Sequence, residues 1–187
     1  MSEILKHQIN QIVTIDDKEF EDILMFFKPK HFRKKQFVIQ ENQLVDNVYF
    51  VEEGILKNIF IDEIGKEHIL QFACANWWIS DFAAFFKKEK STLAVECISD
   101  SKLLSITHSD LELVCNKHPK VEHFFRVKSN FGYVALQQRI LSLMTQSAKI
   151  RYENFCNQYP EIQQKIPKQQ IANYLGVSRE TLSRLQL

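Results

Sequence analysis

The spacing of apolar positions changes several times along the 187 residues. In residues 16–27, DDKEFEDILMFF, Phe20, Ile23, Leu24 and Phe27 recur three and four apart behind an acidic first turn, which predicts an amphipathic helix. Pro29 stops it. From Lys30 to Ile106 the rhythm shortens to β-like runs rich in branched and aromatic residues, at 37–39, 48–51, 55–61, 68–73, 93–97 and 103–106. Gly54 and Gly65 mark two of the turns, and six or more closely spaced strands predict a small β-sandwich or roll filled by Phe side chains. Residues 109–115 read as a short capped helix, halted before His118 and Pro119.

A longer helical rhythm follows. Between Val121 and Arg151 there is no proline, and Phe124, Val127, Phe131, Val134, Gln138 and Leu141 recur at alternating steps of three and four. That pattern makes a seam on one edge of a helix, suited to packing two copies side by side. A helix of nearly thirty residues extends about 45 Å, more than a small roll can cover, so part of its length needs a second subunit. Gln138 is a polar break that could fix the register. Tyr152, Phe155 and Cys156 continue at helical spacing to Tyr159 and Pro160, and a hinge is expected near residues 145–147.

Residues 168–187, KQQIANYLGVSRETLSRLQL, predict two short helices joined by a tight turn. Ile171, Ala172, Leu175, Val177, Leu182 and Leu185 supply the packing face, and Pro167 favours the first helical turn. Gly176 falls where a left-handed backbone is needed, and Ser178 is placed to cap the second helix. This leaves Arg179, Glu180, Ser183 and Arg184 outward. Arg can fork onto guanine, Glu can accept from cytosine, and Ser or Thr suits either. Arg179, Glu180 and Arg184 are the expected base readers. Gln169, Gln170, Ser178, Thr181 and Ser183 are expected to hold the DNA backbone and set orientation.

This stretch resembles the recognition segment of the Crp/Fnr family of bacterial transcription regulators, whose pattern runs I-A-x-x-L-G-x-S-R-E-T-x-S/G-R. Residues 37–54, QFVIQENQLVDNVYFVEEG from Gln36 on, are similar to the cyclic-nucleotide-binding-type roll of that family, with Asn42 or Gln43 where the first turn customarily has glycine. The resemblance implies an α+β fold: a double-stranded β-helix (jelly-roll-like) domain over residues 1–118, a dimerisation helix and hinge over 119–146, and a helix-turn-helix domain over 147–187. It also implies a homodimer acting on double-stranded DNA, with RNA polymerase and a small molecule as further candidate partners. Family members usually continue into a β-hairpin wing. This sequence ends at Leu187, and weaker phosphate contact is the expected consequence.

In family members that bind a cyclic nucleotide, a Gly-Glu pair opens a short helix and an Arg-Ser pair follows. Here Ser80, Asp81, Lys90 and Ser91 stand instead. Asp is shorter than Glu, Lys lacks the guanidinium fork, and serine forfeits the close backbone approach that glycine permits. Control by cyclic AMP is therefore not expected. Trp78, Ser80, Asp81, Phe82, Lys90 and Ser91 remain the candidate lining for another effector, beside the alternative that the aromatic side chains simply fill the roll.

Composition narrows the classes further. The net charge is +1, but residues 140–187 carry six Lys or Arg against three Asp or Glu, while residues 1–139 carry 18 against 20. The basic end coincides with the proposed DNA-reading pair. Cys74, Cys97, Cys115 and Cys156 form no C-x-x-C pair, and the six histidines are isolated, so no metal, iron–sulfur or haem ligand set is expected. A cupin-type enzyme would need closely spaced histidines with a carboxylate, and no H-x-H occurs. With a polar N-terminus and no long apolar run, a cytoplasmic, non-enzymatic protein is expected. A small-molecule-sensing module with weak or lost DNA binding is the alternative.

Overall fold

The computed structural model describes residues 2–160 and 162–185. Two helices, α1 (Glu3–Asn10) and α2 (Asp17–Leu24), precede eight antiparallel strands. The first sheet has the order β1-β8-β3-β6, from β1 (Lys28–Phe32), β8 (Ser101–Thr107), β3 (Asn47–Glu53) and β6 (Trp78–Ile79). The second has the order β2-β7-β4-β5, from β2 (Phe37–Ile39), β7 (Ala94–Cys97), β4 (Leu56–Ile61) and β5 (Glu67–Ala73). Helix α3 (Phe82–Lys87) lies between β6 and β7. After the roll come α4 (His108–Lys117), the long α5 (Pro119–Thr145), α6 (Ala148–Gln158), α7 (Lys168–Leu175) and α8 (Arg179–Leu185).

Local chemistry explains the element ends. Asp16 and Glu19 form a reciprocal capping box at the start of α2, with Asp16 Oδ1 accepting from the Glu19 N–H at 2.8 Å. Glu19 also accepts from Lys120 Nζ at 2.7 Å, tying α2 to the base of α5. Gly54 has φ +107, and a Cβ there would stand 2.2 Å from Ser101 Oγ, so only glycine fits this hairpin. Asn42 takes φ +67 in the turn after β2; asparagine is among the residues that enter this region at least cost.

Four short elements escape the sequence pattern. α1 buries Leu5, Gln8 and Ile9 on one face but is too short for a clear period. β1 contains Pro29, which an edge strand tolerates. β6 and α3 lie within the stretch read as a ligand segment.

Two hydrophobic clusters organise the molecule. Phe50, Val51, Ile79, Phe85, Val95 and Leu103 lie in the first, inside the roll, and α1, α2, α4 and the first turns of α5 close over it with Leu5, Phe20, Val114 and Phe124. The second lies between the outer face of the second sheet and the C-terminal helices. Ile59, Ile69 and Phe72 meet Phe155, Tyr159 and Tyr174 there. Because β4 is covered on both faces, Leu56, Lys57, Asn58 and Ile59 are all buried, and no alternation announces the strand.

Candidate nucleic-acid interface

The C-terminal helix pair is built from the inside out. Ile171, Ala172, Leu175 and Leu182 are buried, and Ala172 is fully enclosed where small size permits a close crossing. Gly176 closes α7 with φ +69 and ψ 34. Ser178 Oγ accepts from the Thr181 N–H at 3.2 Å and stands 3.1 Å from the Thr181 hydroxyl, capping α8.

With that face occupied, Ser178, Arg179, Glu180, Thr181, Ser183 and Arg184 are all exposed, as is Gln169. Neither Arg179 nor Arg184 is drawn into an ion pair among the described residues. A hydrogen bond to its own backbone N–H, then one from the Ser178 hydroxyl, hold the Glu180 carboxyl below the usual range, so it faces outward as an acceptor. Gln170 differs from its neighbours. It is half-buried, and its Oε1 is enclosed without a hydrogen-bond partner among the described residues. Residues 186–187, at the end of the predicted helix pair, lie outside the described residues.

The candidate effector residues divide between buried and exposed positions. Ser80, Asp81 and Ser91 are buried and bonded within the fold. Asp81 Oδ1 accepts from the Ala84 N–H at 3.0 Å, capping α3, while Oδ2 accepts from the Ser91 hydroxyl at 2.8 Å. Ser80 Oγ donates to the Asn47 carbonyl at 2.9 Å. Phe82 and Lys90 face solvent. Trp78 packs against Phe50 and Phe125 and donates to Gln8 Oε1 at 2.7 Å. A cavity of about 80 Å³ nearby is lined by Ile39, Gln43, Asp46, Asn47 and Tyr49, among others, and by none of these six. Ligand pockets generally run from about 300 Å³ upward.

The candidate seam on α5 also divides. Phe124 is fully buried against Trp78 and Phe125 in the roll core, so it belongs to the protomer's own interior rather than to the seam. Val127 is half-buried, and Phe131, Val134, Gln138 and Leu141 are exposed. Tyr133, Leu136, Ile140 and Met144 are exposed as well, so the apolar surface is wider than the repeat suggested. Helical structure breaks at Gln146, in extended conformation, and Ser147 caps α6.

Sequence reasoning missed the residues that seat the module. Arg139, from α5, stacks over Tyr174 and donates to its carbonyl oxygen. Lys57, buried on β4, lies 2.7 Å from Glu67 and 3.1 Å from Glu96. The available signal was a lysine beside an asparagine in a strand whose other residues are apolar.

A β-roll is joined by one long helix to a helix-turn-helix whose second helix faces outward. Residues 29–118 match the cyclic nucleotide-binding domain family. The regulatory protein HlyX of Actinobacillus pleuropneumoniae is 25% identical over 192 residues, covering 96% of this chain and 75% of its own length. FixK2 from Bradyrhizobium japonicum superposes with a TM-score of 0.74 at 19% identity, covering 86% of this chain and 82% of the other. The catabolite activator protein of Thermus thermophilus gives 0.59 at 16% identity, with 96% and 84% covered. A protein from Eubacterium rectale assigned to the Crp/Fnr family of transcriptional regulators gives 0.70 at 17% identity, with 91% and 82% covered, and the chain shares the fold of these proteins.

Proposed function

We propose that the protein is a homodimeric DNA-binding transcription regulator that reads a near-palindromic operator through α8. The observation that carries this reading is the division of labour on the helix pair. Its apolar side is filled by Ile171, Ala172, Leu175 and Leu182, while Arg179, Glu180, Ser183 and Arg184 are exposed on the other side. In helix-turn-helix proteins the second helix enters the major groove, and a two-fold dimer places two such helices one helical turn apart. The exposed apolar arc of α5 supports pairing with a second copy. A cytoplasmic location and contact with RNA polymerase belong to the same proposal, as does a binding rather than catalytic role. Among the described residues no helix is long and apolar enough to cross a membrane.

Control by cyclic AMP is not part of the proposal. Asp81 and Ser91 are engaged with each other where family members present glutamate and serine to the ligand. Any effector is a small molecule of another kind.

Selection of binding sites from a random duplex library, followed by fluorescence anisotropy at low and moderate salt, tests the reading. Enrichment of an inverted repeat with salt-sensitive affinity is expected. Failure to enrich any sequence would favour the regulatory module without DNA binding.

A further inference from the structure

The outer face of the second sheet has no part in closing the roll, yet it is apolar and covered. Ile59 and Ile69 are 2% and 3% exposed, Phe72 not at all, and the side chains against them belong to the C-terminal module. Phe72 meets Phe155, Tyr159 and Tyr174 with ring centroids 6.0, 5.9 and 5.4 Å apart. Such a patch binds firmly but leaves orientation loosely specified, because the hydrophobic effect is non-directional.

Polar groups supply the direction. Lys57, 4% exposed, is held between Glu67 and Glu96 on the neighbouring strands. Glu67 Oε2 takes Lys57 Nζ at 2.7 Å, and its Oε1 accepts from Asn173 Nδ2 of α7 at 3.4 Å. A buried charge linked through its partner to a specific side chain on another unit fixes one register. In this molecule it sets how the DNA-reading pair sits on the roll.

That seating engages the first helix of the DNA-reading pair. In helix-turn-helix proteins the first helix of the pair crosses the DNA backbone, and α7 is that helix, but here Asn173 and Tyr174 of α7 are committed to the sheet. Gln170, one of the expected backbone contacts, has its Oε1 enclosed at the junction, where it helps line a groove of about 400 Å³ with Lys34, Lys35 and Pro167. The connection to α5 is the extended residue Gln146, the kind of short non-helical joint about which domains swing.

We infer that the outer face of the second sheet is a parking site: the roll holds its own DNA-reading module docked, Lys57 and Glu67 pin it through Asn173, and full DNA contact requires release. This inference rests on the DNA-reading role proposed above. It assigns positioning roles to residues far from any base.

The test uses the full chain and a reporter already in place, since the Trp77 ring lies 5.5 Å from that of Tyr159. Ile69 sits on the edge strand β5 and is covered by the module, so Ile69→Glu leaves the roll's interior intact and repels the module. Its emission should shift to the red, a change absent when Trp77→Phe is added, and its affinity for a duplex selected by the wild-type protein should rise at least about threefold, as removal of a competing closed state demands. Glu67→Ala should move both readouts the same way but less, because the apolar patch remains. Unchanged emission in Ile69→Glu would overturn the docking. A red shift with weaker binding than wild type, at native circular dichroism and dimer content, would show that the docked form is the one that reads DNA. If neither the wild type nor either variant binds any duplex, the DNA-reading role itself fails, and the parking site with it.

Discussion

The guanidinium carbon of Arg139 lies 3.7 Å from the centroid of the Tyr174 ring, and the same side chain donates to the Tyr174 carbonyl oxygen. Arg151 acts beside it, donating from Nε to the Leu175 carbonyl at 3.1 Å and from a terminal nitrogen to the Gln146 carbonyl at 2.6 Å. The last carbonyls of a helix have no partners within it, and the helix dipole favours cations at that end. Two arginines, one on each side of the break at Gln146, therefore hold the end of α7. Burial lowers the Arg139 pKa, but arginine stays charged throughout the accessible range.

Arg139→Lys keeps the charge and loses both the planar stack and the fork. It should cost about 1 to 2 kcal/mol of module stability, as expected for a desolvated cation over an aromatic ring. Hydrogen exchange would show the loss as faster exchange in α7 and α6 with the roll strands unchanged. Equal loss of protection in both regions would mean that the contact stabilises the whole fold instead.

Arg179→Ala addresses the base-reading role directly. Loss of a bidentate contact should weaken specific binding by about 1 to 3 kcal/mol and relax preference at one base pair in each half-site. Binding to random duplexes should fall much less. If affinity for selected and random sites drops equally, Arg179 is a phosphate contact and the base reader lies elsewhere on α8.

Local chemistry explains what was legible in the sequence. The turn at Gly176, the cap at Ser178 and the outward set from Arg179 to Arg184 depend on residues within a few positions of one another, so pattern alone located them. Phe124 was misplaced because helical spacing cannot distinguish a stripe facing the protomer's own roll from one facing a partner; the first turns of α5 do the former. The seat of the module was invisible for a different reason. Phe72, Tyr159 and Tyr174 are distant in sequence and meet only after the sheet exists to bring them together. Likewise, Asp81 looked like a shortened ligand group, and only its bonds to Ala84 and Ser91 reveal it as a structural cap.

Asp81→Ala should therefore weaken the roll rather than abolish ligand binding. Loss of a helix cap costs about 1 to 2 kcal/mol, and the Ser91 hydroxyl also loses its acceptor. Thermal unfolding should show a lower Tm for the variant. Cyclic AMP in large excess should leave the Tm of both proteins unchanged, since a ligand specific for the folded state would raise it.

Two of the four thiols should be slow to react. Burial pushes Cys97 and Cys115 up to about 11, so at pH 8 almost all of each is protonated, while the thiolate is the nucleophile. Native protein treated with iodoacetamide should keep these two unmodified while unfolded protein is alkylated fully. Mass spectrometry that finds either labelled rapidly in the native state would point to local opening around β7 or α4.

The last expectation concerns the surface that α5 leaves open. Beyond its first turns this helix exposes Phe131, Val134 and Leu141 on one side, and Leu136, Ile140 and Met144 on another. At about 100° per residue, Leu136 and Leu141 lie roughly 140° apart around the axis, so a two-helix seam cannot centre on both. If the heptad-like repeat marks the seam, Leu141 is central and Leu136 is peripheral. Burying a leucine contributes about 1.5 to 3 kcal/mol, and two-fold symmetry places the residue at the interface twice. Leu141→Glu should therefore weaken the dimer by a hundredfold or more, on the order of 3 to 6 kcal/mol, and sediment as a monomer at micromolar concentration. Leu136→Glu should leave most of the dimer intact. The reverse outcome would move the two-fold axis to the Leu136 side and change the separation of the two copies of α8, on which the operator half-site spacing depends.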